Sequence, residues 1–304
     1  MSLGFDAFTM PLAALSAVLL DRLIGEVRRF HPLVGFGHLA AGIEKQLNRR
    51  SLASGMLAWG LAVGPWALLA VWLRPFAPFL IDVLFLYFAL GAQSLREHAK
   101  AIARPLQEGR LDEARQRVGW IVSRETSGLD ASGVAKAGVE SVLENGNDAI
   151  FATLFWFALL GGPGAVLFRL ANTLDAMWGY RTERYNLFGR FAARFDDAMN
   201  WIPARLTAVT YALLGHTRDA LACWRAQAPA WDSPNAGPVM AAGAGSLGLL
   251  LGGPAIYHGR EERRPPLGIG QPPVAADLGR AISLIQRSLW LWLGTLFMIG
   301  YLNA

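Results

Sequence analysis

The chain has 304 residues, of which 53% are hydrophobic and only 17% charged, where an ordinary soluble domain carries about 25% charged residues. With 28 basic and 23 acidic side chains, it is too apolar for a disordered protein and too charged for a bare bundle of membrane spans. The arithmetic fits an integral membrane protein with sizeable polar loops, and no linker or composition break divides residues 1–304, so one domain is expected. The basic set is 25 Arg against 3 Lys, without the long runs of a nucleic-acid tail. The single Cys223 excludes an intrachain disulfide and a multi-cysteine metal site.

The first apolar stretch, Phe8 to Leu20, has no basic residue before it, and Arg22, Arg28 and Arg29 follow it. This reverses the order of a cleavable leader, so none is expected. The positive-inside rule puts the N-terminus outside and the arginines in the cytoplasm. Ser54 to Leu73 and Phe76 to Gln93 read as a pair of spans joined by the short Arg74-Pro75 turn. Lys45, Arg49 and Arg50 precede the pair and Arg96, Lys100 and Arg104 follow it, so both flanks read as cytoplasmic. Residues 94–148 hold eight basic and nine acidic side chains and read as a cytoplasmic helical block.

Ala149 to Leu170 is apolar but broken by Gly161-Gly162-Pro163-Gly164. It is one kinked span or a re-entrant hairpin. The hairpin is preferred because polar motifs flank it on both sides. Residues 171–273 are rich in motifs. Within them Trp201 to Gly215 is a short apolar stretch expected to break near Pro203, Ala236 to Gly253 is Gly/Ala-rich, and Arg263 to Pro273 reads as an extended connector. Ser288 to Leu302 reads as a last, short span with aromatic ends. The fold class is all-α: a polytopic membrane protein with broken or re-entrant helices and large cytoplasmic polar loops.

Several constellations could carry chemistry. Glu140, Glu144 and Asp148 follow at i, i+4 and i+8, which a regular helix places on one face. A divalent cation would stabilise such a row, and a solvated helix face would look the same. Asn172 and Asp175 share a face and precede Gly179-Tyr180-Arg181, with Arg184 beyond; the arginines offer forks for anions, or serve as surface charge. Asp196, Asp197 and Asn200 form a small oxygen cluster, and Ser233-Pro234-Asn235-Ala236-Gly237 is either a ligand loop or a plain turn. Asp21-Arg22, Gly25-Glu26 and His31-Pro32 follow the first apolar stretch as an interfacial stop or as part of a polar site. No Walker loop, zincin, nucleophile-elbow or dinucleotide motif is present.

The order of these motifs, from Asp21-Arg22 and His31-Pro32 through Ile121-Val122-Ser123-Arg124, Glu140-Ser141, Glu144-Asn145, Asn172-Thr173-Leu174-Asp175, Gly179-Tyr180, Asp196-Asp197 and Ile202-Pro203-Ala204-Arg205 to Ser233-Pro234-Asn235 and Gly252-Gly253-Pro254, closely resembles the CobD/CbiB family of cobalamin biosynthesis. The resemblance covers about residues 12–300. Two places depart from the family pattern: Thr153 stands where proline is usual, and Gly146-Asn147 replaces a Thr-Ser-like pair.

The resemblance implies a ligase in the cytoplasmic (inner) membrane. It would join adenosylcobyric acid to (R)-1-amino-2-propanol O-2-phosphate, or to ethanolamine phosphate, and yield adenosylcobinamide phosphate. ATP as cosubstrate and Mg²⁺ follow from that classification, with the bilayer, a homo-oligomer and other late-stage cobalamin-assembly enzymes as partners. An unactivated carboxylate does not acylate an amine, so phosphate transfer must be stabilised. On this reading Glu140, Glu144, Asp148, Asp196 and Asp197 form the metal pool, with Glu140 and Glu144 also catalytic. Asp175 orients or deprotonates the amine. Arg22, Arg124, Arg181 and Arg184 meet anionic groups, and Asn172, Tyr180, Asn200, Ser233 and Asn235 fix the substrate. A membrane sensor of the same superfamily and a corrinoid transporter are the alternative readings. Retention of the acidic motifs weighs against the first, and the scarcity of polar groups in residues 54–93 against the second.

Overall fold

A computed structural model describes residues 7–27, 31–257 and 259–304. Arg28 and Arg29, used above in the orientation argument, lie outside them. Thirteen α-helices carry the described chain: α1 (Thr9–Ile24), α2 (Pro32–Leu47), α3 (Leu52–Leu73), α4 (Pro78–Ala89), α5 (Ala92–Gln107), α6 (Leu111–Val118), α7 (Ala131–Gly146), α8 (Ala152–Leu160), α9 (Gly162–Trp178), α10 (Arg190–Leu214), α11 (Thr217–Gln227), α12 (Ala236–Leu247) and α13 (Ala275–Leu302). Four strands of three residues each, β1 (Leu250–Gly252), β2 (Ala255–Tyr257), β3 (Arg260–Glu262) and β4 (Pro266–Gly268), form two antiparallel ribbons, β1–β4 and β2–β3. Among the described residues three stretches are long and apolar enough to cross a membrane: Leu52–Phe76, Pro78–Gln107 and Ala275–Leu302.

The expected single domain divides into two compact units interleaved in sequence. Residues 1–92, 148–200 and 292–304 make the first, and residues 93–147 and 201–291 the second. Two of the crossings fall inside α10 and α13, so no turn or composition shift marks them.

In the first unit, α3 fulfils the expected span 54–73. Its 22 residues rise about 33 Å at 1.5 Å each, and Leu57, Leu61, Leu68, Val71 and Trp72 are exposed along it, as a lipid-facing surface requires. The Ser51 hydroxyl caps it by accepting the Ser54 N–H at 3.3 Å. The following span is interrupted: α4 ends at Ala89, Gly91 N–H donates to Ala149 O at 3.1 Å, and α5 starts at Ala92.

The broken apolar segment is a hairpin rather than one kinked span. It turns at Gly161, whose φ of 68° suits glycine, and α8 packs against α9. A buried clamp holds the tip. The Asp82 carboxylate accepts the Gly162 N–H at 2.7 Å, while Arg74 Nε and Nη2 donate to its two oxygens, each at 3.0 Å. A Cβ at Gly161 would lie 2.6 Å from Arg74 Cζ. The hairpin therefore reaches the depth of the Arg74-Pro75 turn, and its two open ends, at Asp148 and Asp175, point back the same way.

Pro203 does not break α10, contrary to expectation. Proline deprives the carbonyl four residues earlier of its partner. Here that carbonyl, Met199 O, accepts from Trp156 Nε1 at 3.0 Å, so the helix continues to Leu214. The last helix also begins earlier than expected, at Ala275 rather than near Ser288.

In the second unit the Gly/Ala-rich stretch is α12, every residue of which is buried. Small side chains permit this: a Cβ at Gly245 would meet the Asp219 and Ala220 backbone of α11, and one at Gly243 would meet Leu143 of α7. The same logic explains Gly146, where a Cβ would collide with Tyr211 Oη, which donates to Leu143 O at 3.2 Å. Asn147 Oδ1 accepts from Thr207 at 2.9 Å. Thr153 is fully buried and donates to Asp148 O at 3.5 Å. Both departures from the family pattern thus have a packing role.

Replacing Trp156 with Phe keeps the ring and orphans the Met199 carbonyl. We expect a loss of about 1–2 kcal/mol, read as a lower melting temperature of the purified protein in detergent; an unchanged melting temperature would show that Pro203 needs no such partner.

Candidate functional site

Each unit has its own polar centre. In the first, Tyr180, Arg181, Arg190, Arg194 and Asp197 line a cavity of about 340 Å³. Residues 182–189 form a turn that closes on itself through Tyr185 and Asn186 N–H groups bonded to Thr182 O. Arg190, Arg194 and Asp197 come from the first two turns of α10, at i, i+4 and i+7, so one helix face presents two guanidiniums and a carboxylate. Burial raises the Asp197 pKa, and the Arg194 and Arg181 charges oppose the rise. Gly179 forms another wall. A Cβ there would collide with Asp175 Oδ1, so the glycine lets the cavity wall close over that carboxylate.

Beside it on α10, Asp196 is held by two amides, from Asn172 Nδ2 at 3.2 Å and Asn200 Nδ2 at 3.0 Å. Burial still raises its pKa despite these bonds. Asp196 and Asn200, expected as one oxygen cluster, bond to one another, and Asn172 of α9, read from sequence with Asp175, joins them. Arg184 is not with them: its fork closes on the buried Glu44, Nε to Oε1 at 3.0 Å and Nη2 to Oε2 at 2.6 Å, an arrangement that pins the 182–189 turn to α2 and lowers the Glu44 pKa. Arg22 is exposed on the last turn of α1.

The second centre surrounds Glu140, which is 2% exposed. Its Oε1 accepts the Gly252 N–H at 2.7 Å, and its Oε2 accepts from Arg264 at 3.2 Å and from Arg124. Arg264 also donates to Gly253 O at 3.1 Å and lies over the Trp231 ring, and Lys136 Nζ donates to Gly252 O at 3.3 Å. The left-handed pair Gly252 and Gly253 lets the backbone fold in close enough for these bonds. Glu144 lies one turn along α7. Burial and the neighbouring Glu140 charge push its pKa up to about 6, against the pull of Arg124 and Arg264.

The five expected metal carboxylates do not form one cage. Asp148 is in a π turn, Asn147–Phe151. It belongs with Asp196 and Asp197 to the first unit, while Glu140 and Glu144 belong to the second. Among the described residues no three His, Cys, Asp or Glu side chains converge as metal ligands. Both Glu140 oxygens are engaged. Mg²⁺, however, needs only one or two carboxylates when substrate phosphates complete its shell, so a protein cage of three is not required for it.

The Ser233-Pro234-Asn235 loop is a helix start. Ser233 Oγ accepts the Ala236 N–H at 3.1 Å, and Asn235 Oδ1 accepts from Arg205 at 3.1 Å while Arg205 stacks on Trp201. Arg190, Arg194, Arg264 and Lys136 were not singled out from sequence. The first two were legible in the i, i+4, i+7 pattern ending at Asp197. Arg264 and Lys136 reach Glu140 and Gly252 only through the chain's return.

A family profile described as CobD/Cbib protein matches residues 14–285. The chain belongs to the CobD/CbiB family. It is 54% identical over 303 residues to a cobalamin biosynthesis protein CobD of Chromobacterium violaceum, covering 95% of this chain and 97% of that one. It is 56% identical over 300 residues to the CobD of Stutzerimonas stutzeri, covering 96% and 99%, and 38% identical over 285 residues to that of Mycobacterium tuberculosis, covering 91% of each. No solved structure matches it.

Membership places the two polar centres in a protein of cobalamin biosynthesis. The raised Glu144 pKa has a stability consequence with a definite sign. The folded state holds this proton more tightly than the unfolded chain does, so ionisation between about pH 4.5 and 6 costs stability. Glu144→Gln should therefore melt higher than wild type at pH 7.5, by on the order of 2 kcal/mol, and match it below pH 4.5. A gain that is independent of pH would contradict the assignment.

Proposed function

We propose that this protein is a membrane-bound ligase that condenses adenosylcobyric acid with (R)-1-amino-2-propanol O-2-phosphate, or ethanolamine phosphate, to give adenosylcobinamide phosphate. The observation that carries the reading is the cavity lined by Arg181, Arg190, Arg194 and Asp197. A phospho-amino-alcohol is a small zwitterion with a phosphate and an ammonium only two carbons apart. Three guanidiniums and one carboxylate around about 340 Å³ match both charges, and the volume is near the lower end of ligand cavities.

The chain's own residues then divide the work. The arginine forks hold the phosphate, and Asp197 pairs with the ammonium. Asp175, behind Gly179, is the nearby carboxylate that takes the proton as the nitrogen becomes nucleophilic. The acid partner requires activation by ATP, whose transferred phosphate would make the carboxyl carbon electrophilic. Mg²⁺, entering with the ATP phosphates, would supply charge neutralisation there. Membership of a cobalamin-biosynthesis family supports the substrate class, and the three apolar helices support a place in the membrane. The cytoplasmic membrane, with the polar motifs facing the cytosol, is part of the same proposal.

Purified protein incubated with adenosylcobyric acid, aminopropanol phosphate, ATP and Mg²⁺ should yield the amide, detected by mass spectrometry. Arg194→Gln should raise KM for the phospho-amino-alcohol about tenfold or more, by the loss of one charge-assisted bond, and leave KM for free aminopropanol little changed. Absence of amide beside an active control would return the sensor and transporter readings; an equal effect on both amines would remove the phosphate role of Arg194.

A further inference from the structure

Within the first unit lies a second cavity, of about 650 Å³, walled by α2, α3, α4 and α9. Its walls are almost wholly apolar. Leu69 and Leu73 line it toward the Arg74 end of α3, and Phe88 and Ala89 line it at the C-terminal end of α4. Among the described residues one charged side chain enters the lining, Arg169 of α9. Its Nε is buried and has no hydrogen-bond partner, although the charges of Asp148 and Glu26 reach the side chain. A buried guanidinium donor without an acceptor is costly. Neither the amine site nor the Glu140 centre uses it.

We infer that this cavity is a binding site for one anionic phospholipid of the surrounding bilayer, with an acyl chain in the apolar channel and the phosphate on Arg169. Three observations converge on that occupant. The walls belong to helices that include the apolar span α3, so the cavity borders the hydrocarbon region. The polarity runs one way, from apolar walls near the Arg74 turn to a single cation beside the α4–α5 break. That matches a lipid whose head lies on the side of the open ends of the α8–α9 hairpin and whose tail points toward its tip. The guanidinium in the lining, lastly, favours an anionic head over a neutral one. The inference does not depend on the ligase reading.

The test is native mass spectrometry of the full chain released from nanodiscs of phosphatidylglycerol, of phosphatidylcholine, or of an equal mixture. The wild type should retain one phosphatidylglycerol in preference to phosphatidylcholine by about tenfold, the worth of one charge-assisted bond. Arg169→Gln should reduce that preference to near unity. Gly35→Leu serves as the second variant, because Gly35 lines the cavity and a Cβ there meets nothing within 4 Å. It should fold normally and lose the retained lipid of either kind. Equal retention of the two lipids by wild type, no retained lipid at all, or a Gly35→Leu protein that keeps its phosphatidylglycerol would each overturn the inference. Retention of free phosphate alone would do so as well.

Discussion

Apolar helices cannot tolerate an unpaired backbone group, and the first unit is arranged around that constraint. Its chain is broken at Gly161, and Pro203, just beyond its boundary in α10, leaves the Met199 carbonyl without a helical donor. Each irregularity leaves a donor or acceptor that hydrocarbon cannot satisfy. Each is met by a specific side chain: Asp82 takes the Gly162 N–H, and Trp156 supplies the Met199 carbonyl. Because Asp82 is itself paired with Arg74, the turn between two long apolar helices fixes the tip of the next hairpin. The hairpin then brings Asp148 at one end and Asn172 and Asp175 at the other back toward the same side of the unit. The position of the acidic motifs follows from the satisfaction of two backbone groups some distance away.

The two polar centres solve different problems. Around Glu140, the charges are closed on one another: two arginines and a backbone N–H occupy its oxygens. A buried group so fully engaged stabilises a loop, here the Gly252-Gly253 return, more readily than it serves a substrate. Glu144, next to it and partly buried, keeps an ionisable oxygen and a raised pKa. Around Asp197 the balance is open, with three guanidiniums against one carboxylate on the cavity wall. That surplus of positive charge in a small enclosed volume is what an anionic zwitterion requires, and it is the reason the proposed amine site lies there.

Much of the fold was legible in the sequence, and the limits are instructive. The span over residues 54–73 and the re-entrant hairpin could be read because length, glycine and proline act locally. Pro203 misled because its effect depends on Trp156, more than forty positions away. The division into two units was hidden because two of the crossings between them fall inside the continuous helices α10 and α13. At the site, Asp196 and Asn200 were placed together by motif, whereas Asn172 was read with Asp175 and meets Asp196 from another helix. Arg184 was read as a phosphate fork, while its planar guanidinium instead matches Glu44 on α2. Sequence supplies the chemistry of an arginine but not which anion faces it. The π turn that carries Asp148 beyond the end of α7 is likewise not written in residue spacing.

The central claim is that the arginine-lined cavity, and not the Arg184 fork, receives the phosphate of the amine substrate. Calorimetric titration of aminopropanol phosphate into the full-length protein in detergent tests it directly, using Arg190→Gln and Arg184→Gln side by side. Binding should weaken about tenfold or more with Arg190→Gln and persist with Arg184→Gln, whose defect is a lower melting temperature. Binding that survives the loss of Arg190 and disappears with Arg184 would contradict it.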